Sequence, residues 1–433
     1  MKFIKSLMLG AALLAASSFS WANEQYVPLL SYRVGPYGSN GTSFFGAMID
    51  YMTLVNLKGG VNGVKLTWEE CETEYNASRG VECYERLKSR NGGATIVEPV
   101  STGIAYGILD RVGKDKVPMT TLGYGRSDAA NGKVFPYVFP LITTYWNQAA
   151  AMVVYLGERA GGMDKLKGKK IVHLYHDSAY GKEPLPVLEA EAAKWGFELI
   201  KIPVTPPGNE QQSQWLQIRQ ANPDYVIMWT FGVMSAVGLK TAQRNGFPRE
   251  KILGVWWAGS EEDTEPAGEA AKGFSTMSFT TPGEFPLLDE IRTQVYKAGK
   301  GNLKELDRVG NVMYMRGIVA AVLMVEAMRN AQAKFGKGKV ITGEQMRWGL
   351  ENLNVDRARQ KELGVEDMFP AVKTSCDDHE GSGAVKVVQW DGKKWVALSK
   401  TWLTGDKALV RKLLETSSAA YAKEKGITPA CMK

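Results

Sequence analysis

The strongest constraint on the fold is a regular alternation of short β-rich runs with longer helical runs, from Tyr26 to about Phe279. Apolar strands that alternate with helices predict parallel sheets whose two faces are covered by the helices. Most of the helical runs end close to a glycine, as is common at helix C-caps. The predicted strands are 64–70, 94–99, 117–123, 169–175, 197–203, 224–230 and 252–259, and the predicted helices are 43–57, 76–90, 102–113, 146–160, 180–195, 210–221 and 233–245.

The alternation stops at two places. The segment 136–148 carries two prolines and separates two series of strand–helix units, and after Phe279 three helical runs follow without strands. A hairpin with Asp391-Gly392 at its turn is then predicted for 384–402. These breaks favour two α/β lobes of similar size, between which the chain crosses more than once. The predicted division is a signal segment 1–22, a first lobe made of 23–143 and 274–353, and a second lobe made of 144–273 and 354–433 with the hairpin and tail.

The N-terminus has the composition of a secretory signal peptide. Lys2 and Lys5 precede an apolar stretch at 7–16, and Ser20 and Ala22 are the small residues before a predicted cut after Ala22. A membrane anchor is the alternative, but the apolar stretch is too short to span a bilayer. The first cysteine lies far from the cut, which argues against a lipid anchor there. We therefore expect a soluble periplasmic protein.

The four cysteines fit an oxidising compartment. They fall into two pairs along the chain, Cys71 with Cys83 and Cys376 with Cys431. Four cysteines allow three connectivities, so the sequence alone leaves the pairing open. A metal site or free thiols are the alternatives, but there is no CxxC motif and only 3 histidines are present. Two disulfides are the preferred prediction.

Charge and motif content disfavour several classes of function. The formal net charge of +7 is interspersed along the chain rather than gathered in blocks, which argues against nucleic-acid binding. The GxSxG, HExxH and S-x-x-K sets are missing, and His173 and His176 would point to opposite faces of a strand. The loop 35–51 lacks the Gly-Lys-Ser/Thr of a P-loop. We therefore predict a protein that is not an enzyme and has no metal or cofactor.

Two Gly-rich loops follow apolar runs and open predicted helices, and a third ends a predicted strand. They are "GPYGSNGTSFF" at 35–45 with Tyr37 and Ser39, "EPVSTGIAYG" at 98–107 with Ser101 and Thr102, and "TTLGYGRSD" at 120–128 with Gly123, Tyr124 and Gly125. Hydroxyl groups and free N–H groups at a helix start attract anions, and ligands bind outside the carboxyl ends of parallel strands. Ordinary helix capping is the alternative for each loop. Together the loops predict a ledge that binds a carboxylate.

The second series of strand–helix units carries aromatic residues at corresponding places. Tyr180, Phe231 and the pair Trp256 and Trp257 follow or end predicted strands, and Glu261 comes soon after the pair. Because side chains alternate along a strand, the two tryptophans cannot both face the core. One of them should face away from the core or lie in a cleft. Core packing is the alternative for each aromatic residue taken singly.

Four segments carry a family resemblance by their order and spacing: "GPYGSNGTSFFGAMIDYMTLVNLKGGVNGVKL", "WEECETEYNASRGVECYERL", "HDSAYGKE" and "GNVMYMRGIVAAVLMVEAM". The chain resembles the type I periplasmic substrate-binding proteins of ABC transporters, and in particular the leucine/isoleucine/valine-binding family. The resemblance covers nearly the whole chain after the signal segment. It implies an α/β fold of two Rossmann-like lobes with parallel-type sheets, joined by a multi-strand hinge, which close on a ligand.

The resemblance also implies site residues. Ligand-contacting positions of the family correspond to Tyr180 and Phe231 in the second lobe and to Tyr314 on the long late helix. An acidic residue usually binds the substrate ammonium, but Trp257 or Ala258 stands where that residue is expected, and Glu261 comes slightly late. The ligand therefore stays open between a hydrophobic amino acid, branched-chain or other, and an aromatic or aliphatic acid, with Trp257 stacking on its apolar body. The first-lobe residues that would hold its carboxylate are Ser101, Thr102, Gly123 and Gly125, with Tyr124 beside them.

The predicted function is that of the extracytoplasmic solute-binding component of an ABC importer. Such a protein would bind a small carboxylate between its lobes, close by a hinge, and deliver the ligand to permease subunits in the inner membrane. A ligand-binding sensor subunit that presents the solute to a membrane receptor is the alternative. We expect a monomer with no nucleic-acid partner.

Overall fold

The structure, a computed structural model, describes residues 23–432. The predicted signal peptide at 1–22 and its cleavage site lie outside the described residues. Within the part that is described, no helix is both long and apolar enough to cross a membrane. Both predicted cysteine pairs are confirmed as disulfides, Cys71–Cys83 and Cys376–Cys431, each with 5.7 Å between its Cα atoms.

The first lobe is built on a parallel sheet. β1 (Glu24–Leu29) pairs in register with β2 (Lys65–Glu70), and β3 (Met119–Thr120) pairs with β4 (Val138–Phe139). Extended chain at Val97 joins the two pairs through a parallel bridge to Met119 and a hydrogen bond from the Thr95 N–H to the Tyr26 carbonyl. The helices of this series are α1 (Gly38–Leu57), α2 (Ala77–Leu87) and α3 (Thr102–Asp115).

The second lobe contains a seven-stranded sheet with the order β13-β12-β9-β8-β7-β5-β6. The strands β5 to β9 are parallel, and β12 and β13 extend the sheet as an antiparallel hairpin. The elements are α4 (Tyr145–Ala160), β5 (Lys170–His176), α5 (Ala179–Lys182), α6 (Leu185–Trp195), β6 (Glu198–Val204), α7 (Gln212–Ala221), β7 (Tyr225–Trp229), α8 (Val233–Arg244), β8 (Ile252–Gly254), α9 (Glu261–Thr264) and β9 (Ser275–Ser278).

Late helices complete the two lobes. α11 (Val312–Phe335) crosses α1 so closely that a Cβ atom added to Gly317 would clash with the Phe44 carbonyl oxygen, so this position needs glycine. The remaining elements are α10 (Pro286–Glu290), α11 (Val312–Phe335), α12 (Gly343–Glu351), β10 (Asn354–Val355), α13 (Arg357–Glu362), β11 (Val372–Lys373), β12 (Lys386–Trp390), β13 (Trp395–Ala397) and α14 (Lys407–Lys425).

The α/β fold of parallel sheets is confirmed, with local differences. The strand predicted at 252–259 ends at Gly254, and Trp256 and Trp257 lie on a short 3₁₀ turn at 256–258, so they do not alternate across a sheet. The strand predicted at 94–99 forms only a bridge at Val97. β9 falls within the range 274–353 predicted for the first lobe, but it is hydrogen-bonded between β8 and β12 in the seven-stranded sheet.

Candidate ligand-binding site

An aromatic cavity lies where the strand ends of the two lobes meet. Its free volume is about 10 Å³, which is room for about one water molecule and far below the roughly 300–1,000 Å³ of typical small-molecule pockets. Binding of any larger ligand therefore requires the aromatic side chains to move or the lobes to open. Seven of the ten lining residues are aromatic, and the full set is Tyr32, Tyr75, Val100, Ser101, Thr102, Tyr124, Tyr145, Tyr180, Phe231 and Trp257.

One wall of the cavity is the start of α3. Ser101 is the N-cap of this helix of 14 residues, and its Oγ accepts a hydrogen bond from the Ile104 N–H. The Gly125 N–H donates to Thr102 Oγ1 at 3.3 Å, which joins the loop 120–128 to the helix start. Because the N-terminal end of a helix carries a partial positive charge, this wall favours an anionic group.

The tyrosine hydroxyls at the cavity differ in their hydrogen-bond partners. The Tyr124 hydroxyl donates to Glu98 at 2.6 Å and accepts from the Val100 N–H at 2.7 Å, and the Tyr180 hydroxyl donates to the Thr230 carbonyl at 2.9 Å. The Tyr32 hydroxyl is fully buried and has no hydrogen-bond partner among residues 23–432. Burial raises the pKa of all three phenols, so they stay neutral near pH 7.

Indole groups of the second lobe reach across to the first lobe. Trp256 Nε1 and Trp257 Nε1 both donate to the Gly123 carbonyl oxygen, at 2.8 and 3.0 Å. The position of Gly123 requires glycine for two reasons. Its φ is +69°, and a Cβ atom there would lie 2.7 Å from the Phe279 ring. The carbonyl of this loop thus receives protein donors from the opposite lobe.

A second aromatic contact between the lobes lies beside the cavity. The Tyr37 ring stacks on Phe231 with 5.2 Å between centroids, and the Tyr37 hydroxyl lies 3.0 Å from His176 Nε2. Burial lowers the pKa of His176 to about 4, so this imidazole is neutral at physiological pH. The described chain therefore adopts a closed arrangement in which aromatic groups bridge the cleft.

Carboxylates of the second lobe bind first-lobe donors around the cavity. Glu183 accepts from the Ser127 N–H at 2.7 Å and from the Tyr106 hydroxyl at 2.6 Å. Glu261 accepts from the Val312 N–H, the first residue of α11, at 2.9 Å. Glu262 accepts from Ser43 Oγ in the first turns of α1 at 2.5 Å. We call Glu183, Glu261 and Glu262 the acidic rim.

Arg316 is a buried cation next to the site. Its guanidinium lies 5.1 Å from the ring centroids of both Trp257 and Phe279, within the range of cation–π attraction. Its side chain has 0% exposure, and burial lowers its pKa to about 10 while nearby Asp263 opposes that shift. The guanidinium therefore stays charged at neutral pH.

The predicted site residues occupy several different places. Ser39 is exposed beside the cleft, Glu261 lies in the interlobe contact, and the Tyr314 hydroxyl donates to Asp50 of α1 at 2.8 Å, away from the cavity lining. Tyr37, Gly123 and Gly125 flank the cavity through the contacts described above. The predicted residues that line it are Ser101, Thr102, Tyr124, Tyr180, Phe231 and Trp257.

Several lining residues were missed by the sequence analysis. Tyr32 and Tyr75 follow β1 and β2 directly, and Tyr145 opens α4 after the first crossover. Their places at strand ends and at a helix start were a usable signal. Arg316 also had a signal, since it is a single charge within the apolar run "VMYMRGIVAAVLMV" of α11.

Two α/β lobes that enclose an aromatic cavity at their strand ends define a two-lobed solute-binding protein. The sequence profile of the family described as periplasmic binding protein matches residues 24–394. The chain belongs to this family, whose members act outside the cytoplasm.

Solved structures share this fold. One from the Pseudomonas fluorescens group, described as an ABC transporter permease, has 47% sequence identity and a TM-score of 0.87, with 95% of this chain and 100% of that chain covered. A branched-chain amino acid ABC transporter protein from Thermus thermophilus, with bound valine, has 21% identity and a TM-score of 0.75 over 90% and 98% of the two chains. A fatty acid ABC transporter substrate-binding protein from Thermomonospora curvata has 19% identity and a TM-score of 0.73 over 90% and 94%. Among curated proteins, no match to this chain was found.

Proposed function

We propose that the protein is the periplasmic solute-binding component of an ABC importer and that it binds a small carboxylate between its lobes. The observation that carries the proposal is the enclosed cavity at the start of α3, with the buried Tyr32 hydroxyl lacking a partner within the described chain. A buried hydroxyl without a partner costs free energy, which an acceptor on a ligand would remove. A carboxylate supplies such acceptors.

In this proposal the two lobes make different contributions. The carboxylate lies against Ser101 and Thr102, where the helix start and the hydroxyls stabilise its charge. The apolar body packs on Phe231 and Trp257 of the second lobe, which gain contact area only when the cleft is closed. The first lobe therefore binds first, and ligand contacts then favour closure.

The proposed partners follow from the proposed role. The relatives described as ABC transporter proteins support a permease partner for the closed form.

We propose that the leader 1–22 directs export with a cut after Ala22, and that the exported chain acts as a monomer. The lobe division is proposed with one change, in which β9 joins the second lobe and the return to the first lobe follows Ser278.

A thermal-shift screen of the purified exported chain tests the proposal. The panel contains hydrophobic amino acids and their aromatic and aliphatic acid counterparts, and we expect at least one carboxylate to raise the melting temperature by several degrees. Binding is then measured for Thr102→Val, which keeps the shape of the side chain but removes the hydroxyl, and it should weaken. A panel in which amides or alcohols stabilise the protein and no carboxylate does would contradict the proposal.

A further inference from the structure

We propose that the ligand is a carboxylate without an ammonium group, namely an aromatic or aliphatic acid rather than an α-amino acid. This inference rests on the proposed function and deepens it by naming the ligand class. Three observations support it: the hydrogen bonds that groups at the cavity already make, the positions of the nearby acids, and the charge of Arg316.

The cavity offers an unused donor, and the oxygen acceptors identified at it are neutral and each already receive at least one hydrogen bond. The Gly123 carbonyl oxygen accepts from two indole N–H groups, and the Thr230 carbonyl accepts from Tyr180. Thr102 Oγ1 accepts from the Gly125 N–H. Among the buried side-chain atoms of the lining, the Tyr32 hydroxyl lacks a partner within the described chain. An ammonium group has three donors and a full positive charge, and at this lining it would meet only neutral oxygen acceptors, with no carboxylate among the ten lining residues to balance its charge.

Acidic side chains stand near the cavity but do not line it. In the part of the chain that the structure describes, none of the ten lining residues carries a charge. Glu261 and Glu262 accept hydrogen bonds from the Val312 N–H and from Ser43 across the lobe interface. These hydrogen bonds place Glu261 and one carboxylate oxygen of Glu262 in the contact between the lobes, and neither residue lines the cavity.

The positive charge of Arg316, next to the cavity, also disfavours a cationic ligand. Arg316 lies 5.1 Å from the ring of Trp257, which is itself a wall of the cavity. Burial raises the pKa of Glu261 to about 8 and of Asp263 to about 7, which reduces the negative charge that these acids supply near neutral pH. An anion placed against Trp257 and α3 therefore has two favourable neighbours, the guanidinium and the helix start.

Matched ligand pairs test the inference directly. Each pair differs only in the amine: 4-methylpentanoate with L-leucine, 3-phenylpropanoate with L-phenylalanine, and phenylacetate with L-phenylglycine. Affinities are measured by titration calorimetry on the full exported chain. We expect the acid of at least one pair to bind more than tenfold more tightly than its amino acid, and no pair to show the reverse order.

The outcomes separate this inference from the proposed function. If an amino acid binds as tightly as its desamino partner, or more tightly, the inference is wrong and the proposed function stands. If no member of any pair binds, both the carboxylate proposal and the inference that rests on it are contradicted.

An isosteric pair of variants gives a second, independent measurement. Phe231→Asp places a carboxylate at the cavity, and Phe231→Asn has the same shape without the charge. If the absence of an acid sets the preference, the Asp variant should favour amino acids over desamino acids by at least tenfold more than the Asn variant does. Equal preferences in the two variants would show that charge at the lining does not determine selectivity.

Discussion

The cavity lining and the acidic rim lie side by side but are built from opposite chemistry. The lining is uncharged and mostly aromatic within the described residues, with tyrosine hydroxyls and the start of α3 as its polar groups. The rim consists of three carboxylates that reach from the second lobe to N–H and O–H donors of the first lobe. The comparison indicates that the rim serves closure of the lobes, whereas the aromatic lining serves both the ligand and the contact between the lobes.

Trp257→Ala should have the largest effect, because Trp257 lines the cavity and also donates a hydrogen bond to the opposite lobe. The substitution removes an aromatic wall of the cavity and one of the two indole donors to the Gly123 carbonyl. We expect ligand affinity to fall by more than tenfold while the chain still folds, as measured by calorimetry and circular dichroism. Trp348→Ala is the matched control, since Trp348 packs on Phe335 far from the cavity lining. Unchanged affinity in Trp257→Ala would remove this residue from the site.

The difference between the cavity lining and the acidic rim also explains how much of the fold and of the site could be predicted from the sequence. The alternation of strands and helices is a local pattern, and it predicted the fold and the loops that place Ser101, Thr102 and Tyr124. Contacts between lobes depend on groups far apart in the chain, and they have no local pattern. Glu261 was predicted as a ligand contact, but its partner is the N–H of Val312, which is 51 residues away.

Three aromatic residues show more clearly why the sequence alone could not place every site residue. Period-two alternation assigns Trp256 and Trp257 to opposite faces of a strand, but the chain leaves the sheet at Gly254 and both indoles reach one carbonyl. Tyr314 was placed in the site by its position on the late helix. The close packing of α11 on α1 instead directs its hydroxyl to Asp50. Helix rotation and turn geometry are set by tertiary packing, which a single sequence does not specify.

Glu183→Ala should weaken binding less than Trp257→Ala, and by the same factor for every ligand. The substitution leaves the Ser127 N–H and the Tyr106 hydroxyl without their shared acceptor in the closed form, and water can satisfy both once the lobes open. We expect about a fivefold loss of affinity, which corresponds to ~1 kcal/mol. Glu189→Ala, on the exposed face of α6, is the control. A change in the ranking of the acid and amino-acid pairs would mean that the rim also takes part in selection.

The rim should also make binding moderately dependent on pH. In the closed form, burial raises the pKa of Glu183 to about 7 and of Glu261 to about 8, above the ordinary value near 4.5, and it raises the pKa of Glu262 in the same direction. Opening rehydrates these acids, so the closed form holds protons more tightly than the open form. Closure is therefore most favourable at low pH and weakens as the pH rises through about 7 and 8.

We expect the Kd to rise about threefold between pH 6 and pH 9, measured by calorimetry with one carboxylate ligand. The ligand itself stays ionised over this range, because carboxylic acids titrate near pH 4 to 5. Glu261→Gln should flatten the profile, since an amide resembles the protonated acid and does not titrate. An affinity that increases with pH would contradict the assignment of the rim to closure.

Reduction of the disulfides should have the smallest effect on binding, because neither bridge belongs to the lining or to the rim. Cys71–Cys83 joins the end of β2 to α2, and Cys376–Cys431 ties the C-terminal tail to a loop 55 residues earlier. Cross-links stabilise a fold mainly by restricting the unfolded chain, typically by about 2–4 kcal/mol each. We expect the melting temperature to fall by several degrees under reduction, while the Kd at 25 °C stays within twofold. A marked loss of affinity at a temperature where the reduced chain is still folded would connect a bridge to the cleft, and the separation between ligand binding and fold stability would then fail.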